Sequence, residues 1–416
     1  MPIDFPVSAP PSTTSPDFNR KKSLRNIALL SMSQALNGSS QGIVMSVGAL
    51  AGVILAPDPV LATLPATIMI IGLALTAIPA TMAIDHLGPK HGFMLGAALA
   101  FVGGLSAGYA VSVSSFLYFC IALALVGAGA AFAQQYRFAA ADSVADQWKA
   151  RAISFVLLGG VLAGFLGPRL SFIAKDWING AEFAGSFLMI SGLAFVALIL
   201  LSFTKLAPLA KPQEYESSGR TLGELIKTPA VFVPIISGMA TYSLMTFVMI
   251  AAPLAMVTVC GHSVETATTA IQWHIVAMFA PSFVTGIIID KIGAHLTTGI
   301  GLFLILLCAA ISLNGVSEWH FYIAMILLGV GWNFGFIGST TLLSKAYSPA
   351  EAAKTKGLNE QLVFGSMVLA SIGSGALLQL IGWQSVNVLV IPVATATIAL
   401  LAWGEALHRR EQKLAI

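Results

Sequence analysis

Long runs without a single charged residue constrain this sequence more than any other feature. Only 9% of its residues are Asp, Glu, Lys or Arg, whereas a soluble globular domain carries about 25%. A helix needs about 20 apolar residues to cross the hydrocarbon core of a membrane, and nine charge-free runs reach that length. These runs are 26–57, 59–84, 92–136, 183–204, 228–264, 266–289, 292–317, 319–344 and 361–404. We therefore expect an all-α membrane protein.

The number of transmembrane helices follows from the lengths of these runs. The runs 92–136 and 361–404 are long enough for two helices each, with turns expected at 111–115 and 382–384. One more helix is expected at 152–174. The alternating pattern of a lipid-facing β-barrel is absent from the sequence. The sequence thus predicts twelve transmembrane helices, which we number in chain order as spans 1 to 12.

A short motif occurs twice, after span 2 and after span 8. The segment 85–90 reads DHLGPK, and the segment 290–293 reads DKIG, 205 residues later. Residues of like chemistry keep the same offset in three further pairs: Asp146 and Glu351, Lys149 and Lys354, Arg151 and Lys356. Such a repeat indicates two pseudo-symmetric six-helix halves, the plan of many secondary transporters.

The repeat and the polar segments between spans define the expected domains. They are a disordered cytoplasmic tail at 1–22, an N-terminal six-helix half at 23–204, a cytoplasmic linker at 205–227, a C-terminal six-helix half at 228–407 and a cytoplasmic tail at 408–416.

The basic residues indicate the orientation in the membrane. If the N-terminus is cytoplasmic, eighteen Lys and Arg residues lie on the cytoplasmic side, whereas only Lys175 lies in an outer loop. The eighteen are Arg20, Lys21, Lys22, Arg25, Lys90, Lys149, Arg151, Lys205, Lys211, Arg220, Lys227, Lys291, Lys345, Lys354, Lys356, Arg409, Arg410 and Lys413. Because cytoplasmic loops carry an excess of positive charge, we expect both termini in the cytoplasm. Helical spans also favour the inner membrane of a bacterium over the outer membrane, which uses barrels.

The sequence gives no sign of an enzyme. The loops leave no room for a soluble catalytic domain, and the P-loop pattern of ATP-driven pumps does not occur. Cys120, Cys260 and Cys308 lack metal-ligand spacing, so we expect neither zinc nor a disulfide. No cofactor and no nucleic-acid partner are expected. The expected partners are membrane lipid and a small-molecule solute, and the chain is expected to act as a monomer.

The repeated motif resembles the signature of the major facilitator superfamily, and the resemblance covers about residues 23 to 407. The family's first copy reads approximately Gly-x-x-x-Asp-Arg-x-Gly-Arg-[Arg/Lys]. The N-terminal copy here keeps Asp85, Gly88 and Lys90, but it has Thr81, His86 and Pro89 at the other positions. The C-terminal copy keeps Gly286, Asp290, Lys291 and Gly293.

The resemblance implies a conformational role for this motif. An aspartate at the end of span 2 can pair with an arginine and with the positive N-terminus of a facing helix, which would close the inner mouth in the outward-open state. The alternative is that these charges only mark the headgroup boundary. The residues assigned to this conformational latch are Asp85, Gly88, Lys90, Arg137, Asp290, Gly293 and Glu360.

Polar and aromatic side chains inside the spans are candidates for the solute path. In the superfamily, helices 1, 4, 7 and 10 line the cavity with 2, 5, 8 and 11 beside them, and the polar clusters of this chain fall on that set. Each of these residues, taken alone, is also explained by a hydrogen bond between two helices instead of a contact with solute. The candidate path residues are Asn37, Gln41, Gln134, Gln135, Tyr136, Arg169, Tyr242, Gln272, His274, Trp332, Asn333 and Gln361.

These residues favour a neutral, planar solute with many hydrogen-bonding groups. No carboxylate is expected near the midplane, which disfavours export of organic cations. An unperturbed histidine titrates near neutral pH, so His274 leaves proton coupling open. Gly167 and Pro168 match part of a motif that the family's drug antiporters carry on span 5.

We therefore expect a secondary transporter that works by alternating access. The whole sequence, although no single motif, resembles the bacterial branch that includes riboflavin uptake proteins, so the expected solute is a neutral planar vitamin such as riboflavin, taken up by the cell. Two alternatives stay open: a proton-coupled exporter of the same fold, and a receptor that binds solute without transporting it.

Overall fold

The computed structural model describes residues 20–144, 148–206, 219–348 and 351–414, and all regular secondary structure in these ranges is helical. Residues 1–19 of the expected tail, residues 207–218 of the expected linker, Asp146 and the last two residues lie outside the described residues. Within the described ranges, ten helices are long and apolar enough to cross a membrane, and one bent pair adds an eleventh.

The first six spans and their short connecting helix follow the expected order. They are span 1 (Arg20–Leu55), a 3₁₀ turn (Pro59–Leu61), span 2 (Leu64–Leu87), span 3 (Pro89–Ser112), span 4 (Phe116–Ala133, continued by Tyr136–Asp142), span 5 (Lys149–Ala174) and span 6 (Ala184–Ser202).

The second six begin after a short surface helix, Leu222–Lys227. They are span 7 (Pro229–Leu254, extended by a π-helical turn at Ala255–Val259), span 8 (Val264–Phe279 and Ser282–Ile292), span 9 (Ala294–Asn314), span 10 (Glu318–Ser344) and spans 11 and 12, which share the helix Ala352–Leu414.

The helix Ala352–Leu414 must contain two spans. Its 63 residues would extend about 95 Å at 1.5 Å per residue, three times the hydrocarbon thickness of about 30 Å. Gly382 breaks the helix with φ 78° and ψ 174°, at the turn expected from the sequence. The expected turn at 111–115 is also present, because span 3 ends at Ser112 and Ser114 has φ 53°. Span 8 counted as one bent span and the helix Ala352–Leu414 counted as two spans give the twelve-helix architecture.

The repeated motif adopts the same backbone conformation in both halves. Gly88 has φ 77° and ψ 156°, and Gly293 has φ 85° and ψ 156°. Each glycine ends one span and starts the next. Side chains disfavour this region of backbone space, which is essentially restricted to glycine. The sequence repeat is therefore also a structural repeat.

The helix packing repeats as well. In the first half span 1 packs on span 5, span 2 on span 4, and span 3 on spans 4 and 6. Adding six to each number gives the main contacts of the second half. Glycines permit the closest approaches: a Cβ at Gly127 would clash with the carbonyl of Met69, and one at Gly335 would clash with Thr241. Small residues have this function in lipid, where backbones must pack closely.

A partly buried ion pair anchors the segment that enters span 7. The Arg220 guanidinium donates to both carboxylate oxygens of Glu351 at 2.9 Å, and the backbone N–H groups of Arg220 and Ser348 donate to the same carboxylate. The Arg220 guanidinium and these backbone donors hold the pKa of Glu351 well below its usual range. The contact therefore stabilises the fold fully above the ordinary Glu pKa and is lost as pH falls through the lowered value.

We call the side on which span 1 begins and span 12 ends the terminal side, and the opposite side the distal side. The two halves meet toward the distal side. Thr67 of span 2 hydrogen-bonds Ser371 of span 11, and Arg169 of span 5 pairs with Glu265 of span 8 at 3.1 Å. On the terminal side, Glu360 is exposed.

We predict that Gly88→Ala and Gly293→Ala each destabilise the protein by about 1–3 kcal/mol, because alanine must adopt a backbone conformation that only glycine tolerates well. Neither position has any atom within 4 Å of an added Cβ, so backbone strain alone accounts for the loss. The measurement is the thermal unfolding midpoint of each purified variant in detergent.

Gly286→Ala is the matched control, since Gly286 also has free space around it but lies inside a helix without a positive φ. Its midpoint should stay equal or rise, because alanine favours helix. Equal midpoints for all three variants would contradict the role assigned to Gly88 and Gly293.

Candidate solute-binding site

Four aromatic rings from three spans of the second half form one cluster, which we call the aromatic wall. Its members are Tyr242 of span 7, Phe279 of span 8, and Trp332 and Phe336 of span 10. The Tyr242 ring stands edge-on to Trp332 and Phe336, with centroids 5.2 and 5.1 Å apart. Phe279 lies 6.1 Å from Trp332. These distances fall within the range of favourable aromatic pairs.

The spacing of two residues on span 10 explains the centre of the wall. Trp332 and Phe336 are four residues apart and so share one face of the helix. Their rings stack at 5.2 Å with an angle of 15°. Trp332 is 6% exposed, and its indole N–H is buried without a hydrogen-bond partner among the described residues. Tyr242 and Phe336 are partly exposed, so they form the accessible surface of the wall.

Arg137 of span 4 and Glu360 of span 11, two residues predicted for the latch, lie in different environments. The Nε of Arg137 is buried without a hydrogen-bond acceptor among the described residues, and its guanidinium lies over the Phe138 ring at 4.8 Å. Glu360 is exposed. Neither residue forms an ion pair within the described ranges.

The amides predicted on the first half occupy several environments. Asn37 and Tyr136, with Ser40 and alanines of spans 3 and 6, line a cavity of about 10 Å³, the space that one water molecule needs. Gln135 donates to the Thr81 hydroxyl at 3.4 Å. Gln134 is exposed, and Gln41 is half-buried.

Asn333 is fully buried and stabilises the bend in span 8. The two segments of that span meet at 46°, where Pro281 cannot continue the hydrogen-bond ladder. The Asn333 amide donates to the Met278 carbonyl and the Ser282 hydroxyl at 2.7 Å, and its oxygen accepts from Thr285 at 2.6 Å. The sequence placed Asn333 in the solute path, but these three contacts give it a structural role at the bend.

The remaining candidates of spans 8 and 11 differ in exposure. His274 is fully buried, and its Nδ1 lies 2.9 Å from the Met325 carbonyl of span 10. Gln272 is half-buried, and Gln361 is exposed near Glu360. The structure brings none of these three into the aromatic wall.

Arg169 lies at the distal junction of the two halves. Its guanidinium pairs with Glu265 at 3.1 Å, and both side chains are more than half exposed. Beside this pair, Phe165 and Trp273 form an edge-on contact at 5.8 Å. Sequence reasoning missed Glu265; the available signal was an acidic residue two positions after Ser263, in the first turn of span 8.

The latch residues of the repeated motif lie at the terminal side. Asp85 and Asp290 are exposed, and neither forms an ion pair within the described ranges. Lys90 is half-buried and lines a pocket with Gly88 and Lys205. The ion pair that a latch would need is therefore not formed by either aspartate with the described residues.

Comparisons with known proteins agree with one another. The family model described as Major Facilitator Superfamily matches residues 30–365. The riboflavin transporter RfnT of Brucella anthropi is 43% identical over 370 residues, which cover 89% of this chain and 93% of that protein. The uncharacterized MFS-type transporter YddS of Bacillus subtilis is 28% identical over 93% of this chain and 91% of its own.

Solved structures share the fold at low sequence identity. A point mutant of the nucleoside transporter NupG is 15% identical with a TM-score of 0.71 and covers 91% of this chain and 99% of its own. A bacterial homologue of the human lysosomal transporter Spinster, inward-facing and occupied, is 14% identical with a TM-score of 0.70 and covers 93% and 98%.

We predict that Asn333→Leu lowers the thermal unfolding midpoint measured without solute. The substitution removes the three hydrogen bonds that Asn333 forms with span 8, although Thr285 keeps its bond to the Pro281 carbonyl. A polar group that is left without a partner inside the protein costs about 1–3 kcal/mol. Asn37→Leu is the control, because Asn37 makes no hydrogen bond with the described residues and should shift the midpoint little. If both variants unfold at the wild-type temperature, Asn333 does not stabilise the bend. The prediction that Asn333 lines the solute path would then be favoured.

Proposed function

We propose that this chain, which belongs to the Major Facilitator Superfamily, carries riboflavin into the bacterial cell by alternating access. The family is a family of transporters, so the chain moves a small solute across a membrane. The identity of that solute and the direction of movement are our proposal. The observation that carries it is the 43% identity to a riboflavin transporter over nearly the whole length of both chains.

The chemistry of the candidate site supports a flavin. A flavin has a large planar ring and a polyhydroxylated chain, so it needs an aromatic surface and hydrogen-bonding groups together. Aromatic side chains stack on planar rings with a gain of about 0.5–1.5 kcal/mol per pair. The aromatic wall lies on the second half, and the candidate amides Asn37, Gln41 and Gln135 lie on the first half.

The basic residues support an orientation with both termini in the cytoplasm of the bacterium and with the chain in the inner membrane. Of the eighteen that the sequence assigns to the cytoplasmic side, those among the described residues lie on the terminal side, as the positive-inside rule requires of the cytoplasmic side. With that orientation the distal side is the periplasmic side.

We predict that cells auxotrophic for riboflavin accumulate labelled riboflavin when they express this chain. Phe336→Leu should reduce uptake about three- to tenfold, because it removes a ring of the aromatic wall. Phe303→Leu should transport at the wild-type rate, since Phe303 is a 53% exposed residue of span 9. Membrane levels of each variant are measured by immunoblot.

The same assay separates the alternative functions. Loss of preloaded label from the cells, accelerated by the chain, would identify an exporter. Tight binding of riboflavin by the purified protein with no uptake in cells would identify a receptor.

We propose that Asp85 closes the terminal mouth in the outward-open state. Asp85→Asn removes the charge and keeps the size, and loss of one partner of a partly buried pair costs about 3–5 kcal/mol. Half of that shifts a two-state equilibrium by more than about tenfold. We predict normal membrane levels, strongly reduced uptake and a population moved toward inward-open, measured by labelling of engineered cysteines from each side.

Asp290→Asn is the comparison variant, since its loop lacks the basic residue that Lys90 supplies in the first copy, and it should have a smaller effect. Wild-type uptake and labelling in Asp85→Asn would leave Asp85 as a boundary marker only.

A further inference from the structure

A basic pocket of about 360 Å³ lies at the terminal side, where the start of span 3 meets the end of span 6. Lys90, His91 and Lys205 line it, and no acidic residue of the described ranges does. Lys90 is half-buried and Lys205 is exposed, and neither forms an ion pair with the described residues. A pocket of this volume is large enough for a small ligand. It therefore offers two positive charges that no described carboxylate neutralises.

Local contacts fix the backbone around both lysines. Gly88 turns the chain with φ 77°, and Pro89, whose ring fixes its own φ, then begins span 3. On the other side of the pocket, the buried Asn26 amide of span 1 donates to the Lys205 carbonyl at 2.9 Å and accepts from the Lys205 backbone N–H at 3.1 Å. The pocket is therefore preorganised, which lowers the cost of binding a ligand there.

The equivalent place in the second half, between the start of span 9 and the end of span 12, holds a carboxylate of the protein itself. The repeat puts His295 where the first copy has Lys90, two residues after the glycine. His295 Nδ1 lies 2.8 Å from Glu405 Oε2, and Arg409 pairs with the same carboxylate at 2.7 Å. Span 6 and its continuation to Leu206 contain no acidic residue. The first half thus has the basic groups of this place without the anion that the second half supplies.

Apolar side chains lead away from the pocket along the outer surface of spans 3 and 6. Phe195, Ile199 and Phe203 are exposed and share one face of span 6, because they follow at intervals of four residues. Phe195 contacts Phe101 of span 3 at 6.1 Å, and Leu95 of span 3 is exposed as well. These side chains form an apolar seam, which matches the acyl chains of a lipid and offers nothing to a soluble anion.

We propose that the basic pocket binds the phosphate headgroup of an anionic phospholipid, whose acyl chains lie along the apolar seam. The ammonium groups of Lys90 and Lys205 pair with the phosphate oxygens, in the role that Glu405 has in the second half. Lysine binds phosphate as a point charge, and basic pockets between membrane helices bind lipid headgroups. The pocket is separate from the aromatic wall, so the proposal holds whichever solute is carried.

The latch provides the rival explanation for Lys90. A latch residue changes the equilibrium between two conformations, but it does not change which of two lipids binds better. Lys205 lies outside the repeated motif, so a latch gives it no role. Relative affinity for two lipids, measured at both lysines, therefore separates a lipid site from a latch.

The test uses the purified full-length protein in detergent and counts bound lipid by native mass spectrometry. The probes are phosphatidylglycerol and phosphatidylcholine with identical acyl chains, so that only the headgroup differs. Each lysine should favour the anionic lipid about fivefold, which corresponds to about 1 kcal/mol. Wild type should therefore bind phosphatidylglycerol at least about tenfold more tightly than phosphatidylcholine. Glycerol phosphate, which has the phosphate without acyl chains, should not displace the lipid.

The variants test each charge separately. Lys90→Gln and Lys205→Gln should each reduce the preference about fivefold, and the double variant should bind both lipids about equally. Replacement of both lysines by arginine keeps the charges and should keep the preference. Lys345→Gln is the matched control, because Lys345 is an exposed basic residue at the terminal end of span 10 and does not line the pocket.

Three results would overturn the proposal. The first is equal binding of both lipids by wild type, and the second is an unchanged preference in Lys90→Gln and Lys205→Gln, which decide the matter if the double variant does not fold. The third is displacement of phosphatidylglycerol by glycerol phosphate, which would assign the pocket to a soluble anion. All three leave riboflavin transport standing.

Discussion

The structure depends on one constraint: inside the hydrocarbon, each polar backbone group needs a partner from the protein itself. Helices meet this requirement within one segment, so the described spans are helical throughout. The association of the helices then depends on close packing, because lipid is as apolar as the side chains and no hydrophobic effect drives the helices together. Gly127 against Met69 and Gly335 against Thr241 are contacts of this kind. Around Pro281, where the helical ladder fails, the Asn333 amide of span 10 donates to the Met278 carbonyl of span 8.

This constraint also explains which features could be predicted from the sequence. The spans and turns depend on local runs of residues, so the twelve helices, the turn at Gly382 and the repeat of Gly88 in Gly293 follow from the sequence. The roles of individual polar residues depend on which spans face each other. Asn333 and Tyr242 are both polar side chains inside spans of the second half. Asn333 stabilises a bend, however, whereas Tyr242 belongs to the aromatic wall.

Charged residues were the hardest to assign for the same reason. Arg169 was expected in the path, and its position on span 5 was evident, but its partner Glu265 lies on a span of the other half. An exposed ion pair of this kind contributes about 0–1 kcal/mol, so the distal junction must rely mainly on packing around it. Arg137 was assigned to the latch from its position at the inner end of span 4, and no local pattern reports that its buried Nε lacks a hydrogen-bond acceptor among the described residues.

The two halves share a scaffold, yet they contribute different side chains to the candidate site. The first half supplies the candidate amides Asn37, Gln41 and Gln135, and the second half supplies the rings of the aromatic wall. A solute in contact with both halves would connect two rigid bodies. Binding of the solute would add attraction between the halves, and its release would remove that attraction. The solute-free and the solute-bound transporter would therefore differ in how readily the two halves move relative to each other. Such a difference is required if the transporter is to carry its solute without letting other molecules pass.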